Sequence, residues 1–511
     1  MFRKYKSLFI LFLAVFFFLL VACSSETAKE QETKKKEVNL LFNFATSSLD
    51  PNVDTSYVSL RAGITETLVH LNDKDLTIEP WLAESWDSKD GQLWEFKLRE
   101  GVTFQNGKPM DGEAVKASLE RAMKDSLAIK NALRIDSIEA KGNTLMIKTE
   151  VPFPEFPSEL VHPNTSILDV TESDFINKPI GTGPFAVSKF TPGTAVDLKR
   201  YDSYWGGAAK LEKARFSFNE DANARSLALE SGDADIVFRP EVESLANLEA
   251  IDGVTVESTS TFRVHQMTMN LERKALQDIH VRKAIDALID RSSIADTILQ
   301  GHAEVATGPF PSTFSFAPDY PKKENGMEAA REYLEKAGYK KVHDVMQKDG
   351  KPLSFTLLTY SSRADLPLIA QVFQSDAAQL GIDVKIKQIE IPEEYMAANR
   401  DWDLTTYSNL TAPRGDAGYY LNATYHPNGA LNFSGADDDH LTALIDKLNV
   451  TVGQKKRSDL AEEIAMYVDE QVYNSFILHP NTLVAYNSNK VENWITSRSE
   501  YYMLTNELDV K

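Results

Sequence analysis

The chain has 511 residues, 42% hydrophobic and 25% charged, with a formal net charge of −20 and a single cysteine. That length exceeds what one core holds, so two or three packed units are expected, and the ordinary composition excludes a disordered or repetitive chain. The acidic balance argues against nucleic acid as a partner and against broad adhesion to anionic lipid, and one thiol excludes an internal disulfide framework.

Arg3, Lys4 and Lys6 precede an apolar run from Leu8 to Ala22. The run is shorter than the roughly 20 residues that span a bilayer and has the proportions of a secretory signal. Leu20-Val21-Ala22-Cys23 resembles the bacterial lipobox, in which cleavage precedes the cysteine and its sulfur receives diacylglycerol. The resemblance implies a signal peptide over 1–22, lipidation at Cys23 and a lipid anchor in the membrane. Residues 23–37 read as a solvated tether, since Ser24 to Glu37 holds no apolar side chain larger than Ala. No later stretch approaches bilayer length.

Val38–Phe44 is the first strand-like run. Trp94, Phe96 and Leu98, then Val102 and Phe104, alternate as half-buried strands do. Asn106-Gly107 signals a turn, and Asp111 is placed to cap a helix with Val115, Leu119 and Met123 on one face. Residues 280–301 read as one helix that buries Val281, Ile285, Leu288 and Ile289 and stops at Gly301. A second helix buries Ala330, Tyr333, Leu334 and Ala337 and stops at Gly338. "SFTLLTY" and "DVKIKQIE" read as strands around the helical "LIAQVFQSDAAQLG", an order that predicts a parallel βαβ unit. The class is mixed α/β.

Four ordered stretches carry a wider resemblance. "PWLAESWDSKDGQLWEFKLREGVTFQNGKPMDGEAV" (80–115), "PIGTGPF" with "YDSYWGG", "SGDADIV" and "VRKAIDALIDRSSI" resemble the extracellular solute-binding proteins of family 5, the peptide- and nickel-type binding subunits of ABC importers. The resemblance implies a two-lobed periplasmic-binding-protein-like fold of type II with the ligand enclosed between lobes. Lobe one is expected over 38–265 plus 480–511 and lobe two over 266–479, with "HQMTMNL" and "FILHP" as the crossings. It also implies a monomer on the extracellular face of a Gram-positive-type membrane, partnered by permease and ATPase subunits, with no cofactor.

The ligand is expected to meet the loop Tyr407–Phe433. Peptide-type members carry a Gly-Asp pair followed by aromatics, and their Asp takes the ligand's α-amine. Gly415-Asp416 with Tyr419-Tyr420 resembles this, and a carboxylate in a closed cleft suits an ammonium, although Gly-Asp is also common turn chemistry. Nickel-type members hold a metal–chelator complex through one His and several arginines. His426 and His162 are the candidate metal ligands under that alternative, Arg414 suits the chelator's carboxylates, and Asn164 stands where one family arginine is expected. Tyr57, Tyr419 and Tyr425 are the candidate cleft aromatics. Small peptides are the first expectation and a nickel–chelator complex the second. The acidic "DDDH" (Asp437–His440) reads as a solvated run before a helix.

An enzyme is the competing class. The sequence has no Gly-x-Ser-x-Gly elbow, no Gly-Lys-Ser/Thr phosphate loop, and no HExxH or CxxC metal spacing. In "GTGPF", Pro184 removes an amide that a phosphate cradle would use, so a tight turn between strands is expected there.

Overall fold

The computed structural model describes residues 36–75 and 77–511, so the expected signal peptide, Cys23 and the expected tether up to residue 35 lie outside the described residues. The fold is two α/β lobes whose sheets share one long strand, Asn474–Asn487. Its first half pairs with Arg263–Met269, and its second half pairs with Val254–Ser260 and Ile236–Phe238. The chain therefore passes between sheets at Thr261-Phe262 and again near His479–Asn481. The two passages are tied together where Thr261 Oγ1 donates to the Pro480 carbonyl at 2.8 Å.

The sheet of lobe one is built on Glu37–Phe42, parallel to both Lys213–Phe218 and Ile236–Phe238. Val38, Leu40 and Phe42 are wholly buried there, as a strand covered on both faces requires. In lobe two, Ser354–Thr359 runs parallel to Asp383–Gln388, with Ser354 opposite Asp383. The helix Asp365–Gln379 crosses between them and buries Leu366, Ile369, Ala370 and Phe373. This is the βαβ unit that the apolar pattern predicts.

A third body is inserted into lobe one. It is a four-stranded antiparallel sheet in the order Ala83–Ser88, Leu93–Leu98, Thr144–Thr149, Ile135–Lys141. Trp94, Phe96 and Leu98 alternate inward along Leu93–Leu98. Asp111 caps the helix Gly112–Asp125 by accepting from Ala114 N at 3.0 Å. One buried cluster runs from this sheet through Phe262 and Phe314 to Tyr420 and Ile464 of lobe two.

Two local readings gain their reasons here. The stretch 280–301 is two helices, Ile279–Leu288 and Arg291–Thr297, not one. Asp290 breaks it by accepting from Ser293 N at 3.1 Å, a new N-cap that periodicity alone does not reveal. In "GTGPF", a Cβ on Gly181 would meet Ile64 O at 2.3 Å and one on Gly183 would meet Gly63 O at 2.3 Å. These glycines permit close backbone approach, and the amides of Gly183 and Phe185 are already committed to Ile64 O and Gly63 O.

Candidate functional site: cavities between the lobes

The crossing strands position the first site. Arg263, His265 and His479 lie on them, and Arg363 and Asp365 follow the carboxyl end of Ser354–Thr359. In open parallel sheets that strand end is where ligands bind. Here lobe two faces lobe one's Asn43 and Arg239 across a cavity of about 270 Å³, lined also by His265, Arg363, Asp365 and Asn481.

The electrostatics of this cavity are unbalanced. Glu500 accepts from Arg239 at 2.5 Å and from Thr482 at 2.9 Å, with Arg263 at 3.7 Å. Burial opposes its ionisation, yet Arg239, Arg263, Arg363 and Arg61 together hold its carboxyl well below the ordinary range. Arg363 makes no ion pair among the described residues, and burial plus the charges of Arg239 and Arg263 push its pKa well below the usual arginine value. Nε of Arg239 and of Arg263, Nδ1 of His265, Nε2 of His479 and Oδ1 of Asn43 are buried without a hydrogen-bond partner among the described residues. Unpartnered buried polar groups are costly; of these, Arg239, His265 and Asn43 line the cavity itself, and together with Arg363 they shape it for an anionic, hydrogen-bonding group.

Backbone strain gathers in the same region. Arg239 on the cavity wall and its partner Glu500 have φ of 53° and 64°, and non-glycine residues held there collect at ligand sites.

The sequence-predicted residues mostly fall elsewhere along the lobe interface. Arg414, Asp416, Tyr419 and His426 share a second cavity of about 520 Å³ with Glu155, Glu159 and Arg457. Asp416 is already engaged there: Oδ1 accepts from Gly418 N at 2.6 Å and from Arg457 at 2.7 Å, and Oδ2 accepts from Arg457 Nε at 3.1 Å. A Cβ at Gly418 would stand 2.6 Å from Asp416 Oδ1, so the absence of a side chain there lets the carboxylate close on the backbone amide. Arg414 pairs with Glu159 and lies over the Tyr419 ring at 4.0 Å. Burial lowers its pKa, and its Nε has no partner among the described residues.

Tyr57 meets the rings of His162 and Tyr501 edge-on, at 5.4 and 6.2 Å. Burial raises its pKa, with Tyr419 the next cause, so Tyr57 belongs to the aromatic wall that Arg414 and Tyr419 continue. His162 accepts from Asn164 N at 3.3 Å through Nδ1, and burial lowers it to about 4. His426 accepts from Asn428 N at 3.2 Å, and its Nε2 lies 3.5 Å from Asp446. The two histidines do not line a common cavity.

Two candidates require correction. Tyr425 is core: 1% exposed, its hydroxyl accepts from Asn474 at 2.7 Å and sits 3.2 Å from that of Tyr420. Asn164 braces the loop at residues 50–54, donating to Pro51 O and Asp54 O while its own carbonyl accepts from Asn52. Cys23 lies outside the described residues. Sequence reasoning missed Arg239, His265, Arg363 and Asp365. The available signal was "SSRAD" directly after a parallel strand, and a histidine in each crossing segment.

The profile of bacterial extracellular solute-binding proteins, family 5, matches residues 77–432. The chain is 34% identical over 502 residues to the nickel-binding protein NikA of Staphylococcus aureus, covering 98% of each. The structure of that protein in complex with Ni(L-His)2 aligns with a TM-score of 0.83 over 93% of this chain and 100% of the other. A nickel ABC transporter structure from Bacillus halodurans is 65% identical, with a TM-score of 0.79 over 93% of this chain and 100% of that one. The glutathione-binding protein GsiB of Escherichia coli is 28% identical over 331 residues, 62% of each chain.

Proposed function

Because the chain belongs to the bacterial extracellular solute-binding proteins of family 5, the binding subunits of ABC importers, we propose that its cargo is a nickel ion complexed by a small carboxylate-bearing chelator. The observation that carries this is the pair of unpartnered nitrogens on the wall of the cavity at the crossing strands, Arg239 Nε and His265 Nδ1, beside an Arg363 that makes no ion pair among the described residues. Arg239 and Arg363 would take the chelator's carboxylates, since planar guanidinium matches carboxylate geometry. Among the described residues no cluster of three or more His, Cys, Asp or Glu could hold a metal. The cargo in this reading brings most of its own donors, and His265 adds at most one more. Likeness to the S. aureus and B. halodurans nickel proteins supports the same reading.

The protein acts by capture and closure with no chemical step, working as a monomer. Diacylglycerol on Cys23 holds it at the outer membrane face, beside permease and ATPase subunits that accept the closed form. Two acyl chains supply the double signal that stable anchoring takes.

A second reading is capture of a small peptide. The carboxylate of Asp416 in the larger cavity and the likeness to GsiB favour it; the Arg457 guanidinium that already occupies both Asp416 oxygens weighs against it. Calorimetry of the purified protein separates the two. Micromolar or tighter binding of Ni(II) with L-histidine, and none of tri- to octapeptides, is expected. Tight peptide binding with no response to the metal complex overturns the nickel reading.

A further inference from the structure

Two arginines of lobe two reach across the cleft to two carboxylates of lobe one. Arg414, in the loop after Leu404–Leu410, pairs with Glu159, and Arg457, in the first turn of Gln454–Gln471, stands 2.7 Å from Glu155. Both carboxylates flank one short helix, Phe156–Glu159, which leaves the inserted sheet. All four groups are withdrawn from water: side-chain exposures are 8% and 11% for Arg414 and Glu159, and 5% and 27% for Arg457 and Glu155.

The lobe-two ends are anchored before they cross. Arg457 is held by Asp416 and by the Leu448 and Thr451 carbonyls, all within lobe two. Arg414 is stacked on Tyr419. The guanidiniums are therefore pre-positioned, so little side-chain freedom is lost when lobe one arrives, which is the condition under which an ion pair repays its desolvation. The lobe-one partners have weaker independent support; Glu155 otherwise accepts only from Ser158 at 3.3 Å.

The bridge also divides space. Glu155, Ser158, Asp416 and Arg457 line both the 520 Å³ cavity and a neighbouring one of about 530 Å³ that opens past Trp86 and Phe314. The ion pair is the wall between them, and parting the lobes at this point removes the wall.

We propose that Glu155–Arg457 and Glu159–Arg414 form an electrostatic latch that holds the lobes closed independently of cargo. The latch rests on the two-lobed fold and not on the identity of the ligand. It makes closure a property of the chain itself, which the cargo at the crossing strands reinforces.

The test uses the full chain without any metal or peptide, at pH 8.5, where Glu155 carries its charge. C23S removes the only natural cysteine, and E139C with K447C then places one spin label on the inserted sheet and one on lobe two. Pulsed electron-spin distance measurement is expected to give mainly a short-distance population. E155Q with E159Q is expected to shift the closed-to-open ratio about tenfold toward open, and high salt to shift the parent the same way. D459N, which removes the exposed Lys455–Asp459 pair within the same lobe-two helix, is expected to leave the distances unchanged. A well-folded double variant with the parent's distance distribution overturns the latch, as does opening by D459N to the same extent. Should the double variant not fold, E155Q and E159Q measured singly decide by the same criterion.

Discussion

His265 Nε2 stands 2.6 Å from Asp365 Oδ2, and that contact ties a crossing strand to the first turn of the helix that walls the smaller cavity. Burial opposes ionisation of Asp365, but His265, Arg363 and Arg239 together hold its carboxyl well below the ordinary range. The imidazole is oriented by a carboxylate on one nitrogen, while Nδ1 is buried without a partner among the described residues. A carboxylate behind an imidazole is the arrangement that fixes ring orientation at metal sites.

Removing the Arg363 guanidinium is expected to weaken binding of Ni(II) with L-histidine about 10- to 100-fold, the loss of a charge-assisted hydrogen bond of about 1.5–3 kcal/mol. R239A is expected to act in the same direction, with R363K losing less than R363A. Calorimetry measures this directly. Unchanged affinity in both alanine variants places the carboxylate site elsewhere.

Acidification is expected to act through the buried histidines. Burial lowers His479 to about 4, and His70 and His162 share that depression. The unfolded chain takes up these protons near pH 6.5, so between about 6.5 and 4 it binds more protons than the folded chain, and stability falls as pH falls. Glu155 runs the other way. Burial, then Asp416, raise it to about 7, so its contribution is present below its unfolded pKa of about 4.5 and is lost as pH rises through about 7. Urea midpoints at pH 7.5 and 5.5 check both signs: H479Q should lose less than the parent on acidification and E155Q should lose more. Parallel behaviour of all three would contradict these assignments.

The Tyr425 hydroxyl is expected to serve stability alone. Y425F leaves the Asn474 amide without its acceptor in the core and should cost about 1–1.5 kcal/mol in chemical denaturation. Affinity for Ni(II) with L-histidine should be unchanged, and a large loss of affinity would return Tyr425 to the binding site.

Attachment through Cys23 is expected to fail in C23S. The variant should move from the membrane fraction to the medium and lose incorporation of labelled fatty acid. Membrane retention at the parent's level would exclude the thioether anchor.

The elements were largely legible because burial imprints a period on sequence. Trp94, Phe96 and Leu98 alternate inward, Asp111 caps its helix, and the apolar strand–helix–strand run near residue 354 pairs in parallel. The break at Asp290 was not legible, because a capping aspartate inside an apolar helical pattern leaves the period intact. The cavity at the crossing strands was not legible, because its charged residues come from segments distant in sequence. Arg414, Asp416, Tyr419 and His426 fall together in the second cavity, whereas Tyr425 turned inward because a helix of eight residues presents some of its rings to the core.

The residues themselves determined the α/β class, the family, the two-lobed outcome expected of it and the expectation of an N-terminal signal. Each of these depends on local pattern and on motif order along one chain. Tertiary structure alone decided which charges meet. Arg239, Arg363 and His265 are far apart in sequence and share one cavity because Asn474–Asn487 stitches two sheets together. Arg457 neutralises Asp416 from 41 positions away. Electrostatic partnership depends on distances of a few ångströms through space, which no spacing along the chain encodes.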